Sequence, residues 1–295
     1  MATQASLSRI AISRILVATD FSPESQNALQ YALALARRLE SKLYITHVTP
    51  QEIIGGVSDS WAAWPPLVET ASQTAQVNMA QLDQDDKLKC LAHESIIRSG
   101  DPGDVISQIV SDRNVDLIVM APHRRSGMSL FITGSTTEKV IRHSTCPVLA
   151  VGPGAQPSRA DRFSHILYAT DFSSGSTAAL TYALELAEQD RAELTMLHII
   201  VSKPGSDAEL IKWSRHDRET LRQLVPAGLD LAYKPEIEVE IGDPAEQMLL
   251  LAGTRSADLI VMGSHGGTLA THFPWTTLHH VLQSAPCPLL TVRSL

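Results

Sequence analysis

The chain has few cysteines, no cluster of basic residues and no long apolar run, and each absence excludes a class of protein. Only three cysteines occur among the 295 residues, Cys90, Cys146 and Cys287. Their spacing fits neither a metal site nor an even-numbered disulfide framework. We therefore expect three buried thiols, each behaving as a small apolar side chain.

The charge balance and the apolar pattern bear on partners and location. Asp and Glu number 32 against 24 Lys and Arg, a net charge of −8 at pH 7, whereas nucleic-acid binding depends on clustered Lys and Arg. No run approaches the roughly eighteen apolar residues that indicate a membrane span, and the first residues lack the charged and apolar regions of a signal peptide. We predict a cytoplasmic protein with neither a nucleic-acid nor a membrane partner.

Motifs of enzyme chemistry are also lacking. The sequence contains no G-x-S-x-G elbow, no HExxH pair, no Walker lysine and no paired catalytic carboxylates. A binding role is therefore favoured over catalysis, and we predict that the protein is not an enzyme.

The chain is one unit written twice. Residues 13–36 match residues 164–187, an offset of 151, and further motifs follow in the same order in both copies. A Gly- and Pro-rich stretch separates the copies, so we predict domains at 1–152 and 163–295 with a linker at 153–162. The later matches are LYITHV with LTMLHI, GDPGDVISQIV with GDPAEQMLLLA, VDLIVM with ADLIVM, and STCPVLAV with APCPLLTV.

Within each copy, short apolar runs alternate with segments of helical period, which is typical of parallel βαβ units. Ser22 and Pro23 predict a helix start, with an N-cap followed by proline at the first helical position. A second helix is predicted over 67–89 and again over 207–224, and the alternating polar third strands indicate sheet edges. The predicted fold class is α/β, with two tandem five-stranded parallel sheets of Rossmann-like type.

The fourth strand of each copy leads into a loop of glycines and hydroxyl residues. Residues 116–135 read DLIVMAPHRRSGMSLFITGS, and residues 258–277 read DLIVMGSHGGTLATHFPWTT. Open α/β sheets bind ligands at the carboxyl ends of their strands, and glycine lets backbone N–H groups approach a phosphate. Both loops are therefore candidate anion sites.

Four motifs in this order, ATDFS, GDP, DLIVMGSHGG and CPVL, resemble the universal stress protein family in its tandem two-domain form. The resemblance covers nearly the whole chain. It implies five-stranded parallel α/β domains that pair through their fifth strands as an intramolecular pseudo-dimer, and a homodimer of the chain stays open. In one subgroup it implies binding of ATP, with magnesium, through a G-x2-G-x9-G-(S/T) loop and an Asp after strand one. Other members lack this loop and bind no nucleotide.

In the first copy, the resemblance places the nucleotide-contacting residues at Asp20, Gly134 and Ser135. The opening glycines of the motif fall on Ala121 and Arg124 instead. An arginine there costs about 1–2 kcal/mol if its position needs a left-handed backbone. Ser135 also begins an S-x-x-E capping box, so its helix start is explained without any ligand.

In the second copy, Asp171, Gly263 and Gly266 match the motif, but the third glycine is missing. A spacing of nine puts Thr276 at the glycine position, whereas alignment on the downstream Cys-Pro pair puts Thr276 at the hydroxyl position. Pro274 lacks an N–H where amides should face phosphate. Losing one or two hydrogen bonds to a charged group weakens affinity by about tenfold to several thousand-fold.

Several of these residues also have structural explanations. Asp20 and Asp171 lie next to helix starts, where a carboxylate is stabilised by the helix dipole. Histidines without metal-ligand spacing are better explained as solvated side chains than as catalytic or metal-binding groups. These are His123, His265, His272, His279 and His280.

Three functions remain as hypotheses. The first is a cytoplasmic stress-response protein with a binding or signalling role and degenerate ATP-binding loops. The second is an ATP or AMP sensor that uses one of the two loops. The third is a carrier of apolar ligands that uses the insertion around Trp61 and Trp64, present only in the first copy.

Overall fold

The computed structural model describes residues 10–49, 64–122, 135–156, 161–201, 206–264 and 275–294. These residues form two compact units. Residues 12–146 make the first, called here the amino-terminal unit. The second, called the carboxy-terminal unit, contains residues 147–295 and the short segment before residue 12.

The amino-terminal unit is a parallel sheet with strand order β3-β2-β1-β4, and helices connect its strands. Strands β1 and β4 are almost fully buried. Strand β3 at the edge is half-buried, as its alternating polar pattern predicted. The elements are β1 (Arg14–Ala18), α1 (Pro23–Leu39), β2 (Lys42–Thr49), α2 (Trp64–Asp83), β3 (His93–Ser99), α3 (Pro102–Arg113), β4 (Leu117–Met120) and α4 (Ser135–His143).

The carboxy-terminal unit has strand order β5-β10-β9-β6-β7-β8. Strands β6 to β10 pair in parallel, so the predicted five-stranded parallel sheet is confirmed for the second copy. Its elements are β5 (Val148–Ala150), β6 (His165–Thr170), α5 (Ser174–Asp190), β7 (Glu193–Ile200), α6 (Asp207–Gln223), β8 (Glu236–Ile241), α7 (Pro244–Thr254), β9 (Leu259–Gly263), α8 (Trp275–Ser284) and β10 (Leu289–Val292).

Strand β5 comes from the first repeat in sequence but packs in the carboxy-terminal unit. It runs antiparallel to β10, with Ala150 opposite Leu289 and Val148 opposite Thr291. The Thr291 hydroxyl donates to the Val148 carbonyl at 3.2 Å. The sequence repeat therefore divides the chain after residue 152, whereas compactness divides it after Cys146.

The predicted helix starts are present. Ser22 caps α1 by accepting a hydrogen bond from the Ser25 N–H, and Pro23 is the first helical residue. Ser173 caps α5 in the same way through the Ser176 N–H. A capping side chain satisfies an N–H group that has no partner within the helix.

Two predictions from local pattern were wrong. Helix α2 ends at Asp83 rather than at 89, because a turn follows in which the Asp85 carboxylate accepts from the Lys87 N–H at 2.9 Å. Cys90 lies beyond this turn and is exposed, whereas Cys287 is buried. Burial raises the pKa of the half-buried Cys146 thiol to about 11.

In the described part of the chain, no helix is long and apolar enough to cross a membrane.

Candidate functional site

The two aspartates of the predicted sites lie where parallel strands end. Strand β6 pairs with β9, with Ala169 opposite Met262. Asp171 follows β6 directly and Gly263 is the last residue of β9, so both lie at the carboxyl edge of the sheet. In the first copy, β1 pairs with β4, and this pairing brings Asp20 and Ala121 to the equivalent edge. This is the edge at which open α/β sheets bind ligands.

Each aspartate forms a tight turn before its helix. Asp20 Oδ1 accepts from the Ser22 N–H at 3.0 Å and from the Ser22 hydroxyl at 2.5 Å. Asp171 Oδ1 accepts from the Ser173 N–H at 3.0 Å. These hydrogen bonds give both aspartates a structural role in the turn, and both helix-dipole stabilisation and ligand contact by the same carboxylates stay predictions.

A phenylalanine in the left-handed backbone region follows each aspartate. Phe21 has φ 63° and Phe172 has φ 60°, a conformation that costs an L-residue about 1–2 kcal/mol. Their N–H groups donate to the hydroxyls of Thr19 and Thr170, at 3.0 and 2.9 Å. Sequence reasoning missed this feature, although the recurrence of Thr-Asp-Phe-Ser in both copies pointed to it.

A histidine packs against each of these phenylalanines. The ring centroids are 4.7 Å apart for His47 and Phe21, and 4.4 Å apart for His198 and Phe172. Each imidazole Nδ1 donates at 2.8 Å to a carbonyl oxygen at the end of the neighbouring strand, that of Thr19 or Thr170. His198 Nε2 also lies 3.8 Å from the Asp217 carboxylate on α6.

Gly263 lies directly against the start of α5. A Cβ atom at this position would be 2.5 Å from the Ser176 nitrogen and 2.6 Å from the Gly175 carbonyl carbon. Atoms that are not bonded to each other cannot approach so closely, so the packing alone requires glycine here. The matching residue of the first copy is Ala121, which carries the Cβ that the second copy cannot accommodate.

A buried tyrosine supports the same helix start in the second copy. The Tyr168 hydroxyl donates to the Ser176 carbonyl at 2.7 Å. Burial raises the pKa of Tyr168 to about 12, so the hydroxyl stays a neutral donor at physiological pH. Val17 occupies the matching position of the first copy, and the two predicted sites therefore differ in their supporting residues.

Several predicted site residues lie outside the described residues. Among them are Gly134 and Gly266, together with Trp61 of the insertion. Ser135 is the first residue of α4, and Glu138 one turn later pairs with Arg142 at 2.8 Å. The loop residues His123, Arg124, Arg125, His265, His272 and Pro274 also lie outside the described residues.

The structure resolves the alignment of the last helix. Val140 and Ile141 of α4 are buried, and so are Val281 and Leu282 of α8, an offset of 141. This offset is the one obtained by alignment on the Cys-Pro pair, and it matches Thr276 with Ser135. Thr276 is exposed in the first turn of α8.

A lysine joins two helices beside the first candidate site. Lys139 Nζ lies 2.9 Å from Asp101 Oδ1 and 2.7 Å from Asp104 Oδ1 at the start of α3. The hydrogen bond from Lys139 lowers the pKa of the Asp101 carboxyl, and the same contact raises the pKa of Lys139. His280 holds the matching position in the second copy.

Within the described ranges, no group of His, Cys, Asp and Glu side chains could hold a metal ion.

The fold and these paired strand-end sites define a tandem-repeat α/β protein with a candidate ligand site at the carboxyl end of each parallel sheet. The chain belongs to the universal stress protein family, whose sequence model matches residues 11–152 and 162–293. The resemblance noted from the motifs is thereby confirmed.

Similar proteins span the whole chain or one repeat. A universal stress protein of Mycolicibacterium smegmatis is 26% identical over 293 residues, which cover 95% of this chain and 96% of that protein. A universal stress protein A homolog of Pasteurella multocida is 31% identical over 140 residues, which cover 46% of this chain and 94% of that protein. The crystal structure of a universal stress protein from Archaeoglobus fulgidus matches with a TM-score of 0.72 at 22% identity, and the match covers 98% of both chains.

Proposed function

We propose that this chain is a cytoplasmic stress-response protein that acts by binding or signalling, without catalytic turnover. The observation that carries the proposal is the hydrogen bonding of the two strand-end aspartates. In both repeats the carboxylate Oδ1 accepts a hydrogen bond from the serine N–H two residues later. This hydrogen bond holds each carboxylate at the carboxyl end of the sheet, where it can accept a hydrogen bond from a ligand.

Phosphate release from ATP tests the absence of turnover. With ATP and magnesium, the purified full-length chain is expected to release phosphate no faster than a buffer control. The variants Asp20→Ala and Asp171→Ala should behave identically to the parent. Steady release that disappears in either variant contradicts the proposal, because it would make that aspartate part of a hydrolytic site.

A second candidate function, a sensor of ATP or AMP, is favoured by the geometry of the second repeat. There Asp171 follows β6, Gly263 ends the neighbouring strand β9, and Gly263 brings the backbone of β9 against the N-terminus of α5. Backbone N–H groups at a helix start favour an anion, and glycine allows the close approach that a phosphate chain needs. The first repeat has Ala121 in place of Gly263 and Val17 in place of Tyr168.

Calorimetric titration with ATP and magnesium tests the sensor. Binding to the parent chain is expected to be saturable at millimolar ATP or below. Asp171→Ala should weaken it by about 10- to 150-fold, the worth of one hydrogen bond to a charged group. Asp20→Ala is the matched control and should leave the affinity unchanged. No heat of binding at millimolar ATP rejects the sensor, and a selective loss in Asp20→Ala assigns binding to the first repeat.

A carrier role for apolar ligands stays a hypothesis. It depends on the insertion that contains Trp61, outside the described residues, and Trp64, where α2 begins. Native mass spectrometry of gently purified protein, searched for co-purified lipid, is the measurement that decides it.

A further inference from the structure

The phenylalanines that follow the strand-end aspartates are unusual among the helix entries of this protein. At α3 and α7 the residue before the N-cap also has a positive φ, 150° at Gly100 and 137° at Gly242, and in both places it is glycine. At α1 and α5 the corresponding residues are Phe21 and Phe172. Gly100 and Gly242 adopt φ values that L side chains rarely reach, whereas φ near 60° admits a side chain at a cost of about 1–2 kcal/mol. What distinguishes the entries to α1 and α5 is therefore the set of contacts that the two phenylalanine rings make.

The ring of Phe172 packs on the histidine that donates a hydrogen bond to the end of β6. His198 donates from Nδ1 to the Thr170 carbonyl at 2.8 Å, and the Phe172 ring packs on the imidazole at 4.4 Å. The Phe172 N–H in turn donates to the Thr170 hydroxyl at 2.9 Å. Asp171 lies between Thr170 and Phe172, so both of its neighbours in the chain are fixed by this contact set.

The first repeat contains the same arrangement. Phe21, His47 and Thr19 make the equivalent ring contact and hydrogen bonds around Asp20. Strained backbone of this kind persists only where the surrounding structure over-determines it, and it clusters at ligand-binding sites. A helix start needs no such device, because Ser22 and Ser173 already cap α1 and α5.

We propose that Phe172 and His198 are positioning residues, which hold the Asp171 carboxylate ready for a ligand at the carboxyl edge of the sheet. Phe21 and His47 hold Asp20 in the same way. The proposal rests on the sensor function above, in which Asp171 contacts the nucleotide. It adds that affinity depends on side chains that contact the turn around the aspartate and not the nucleotide itself.

A double-mutant cycle separates positioning from general structural support. Phe172→Gly keeps a residue that tolerates φ 60° but removes the ring, and it should weaken ATP binding by about two- to tenfold, the cost of immobilising one side chain on binding. In the Asp171→Ala background the same substitution should change affinity no further, because it acts through Asp171. An equal fold-loss in both backgrounds overturns the proposal.

Two matched controls refine this cycle. His198→Asn keeps an amide donor near the position of Nδ1 and should retain more affinity than His198→Leu, which removes the donor. Equal losses in these two variants contradict the role of the hydrogen bond to Thr170. Phe21→Gly makes the same change in the other repeat and should leave the affinity of the second-repeat site unchanged.

A measurement without ligand keeps the proposal testable if ATP does not bind. The Ser173 N–H donates to Asp171 Oδ1, so its hydrogen exchange reports the position of the carboxylate. Phe172→Gly should accelerate exchange at Ser173 while amides in the interior of α5 keep their protection. Unchanged protection at Ser173 overturns the positioning role, whereas absent ATP binding with accelerated exchange rejects only the sensor function.

Discussion

Gly263→Ala is expected to destabilise the carboxy-terminal unit by about 2–3 kcal/mol, the cost of forcing an extra group into a well-packed site. The new Cβ would lie 2.5 Å from the Ser176 nitrogen, and the nearest atoms belong to backbone, which cannot rotate away as a flexible side chain can. Urea unfolding followed by circular dichroism measures the loss. Hydrogen exchange should place it in peptides of residues 161–294.

The first repeat supplies the matched control for this substitution. Ala121 stands where Gly263 stands in the second copy, and Ala121→Gly should change the free energy of unfolding by no more than about 1 kcal/mol. If Gly263→Ala is as mild as this control, the close approach to the start of α5 is not a constraint. Gly263 would then be explained by the nucleotide motif alone.

Asp258→Ala is expected to destabilise the carboxy-terminal unit by about 2–4 kcal/mol. The carboxylate is buried between the starts of β9 and β6, where it accepts from the N–H groups of Ser164 at 2.8 Å and His165 at 3.2 Å. Removal of a charged acceptor leaves both donors without it, and an unsatisfied buried donor costs about 1–3 kcal/mol. Urea unfolding at neutral pH measures the effect.

Asp116→Ala removes the matching carboxylate of the first repeat, which is more exposed to solvent. Asp116 Oδ2 accepts from the N–H groups of Ser13 and Arg14, each at 2.9 Å, but its side chain is 25% exposed. Water should replace part of the lost contact there, so we expect a smaller loss than for Asp258→Ala. A loss at Asp258 equal to or below that at Asp116 contradicts the burial argument.

The candidate site was only partly predictable from sequence. Asp20, Asp171 and Gly263 were found because each ends a strand in a recurring motif, and the strand pairing brings them to one edge as expected. The partnership of Phe172 with His198 was not found. These residues are 26 positions apart, and only the parallel register of β6 and β7 places the imidazole beside the turn.

The sequence by itself determined the duplication, because ordered motifs recur about 150 positions later. It also determined the α/β class, the order of strands and helices, and the capped helix starts at Ser22 and Ser173, because these follow from patterns within a few consecutive residues. Tertiary structure alone decided that the pair of fifth strands, β5 and β10, is antiparallel, that Gly263 must lack a side chain, and that Phe172 occupies a left-handed conformation. Each of these depends on atoms brought together from distant parts of the chain, and local periodicity carries no record of such approaches.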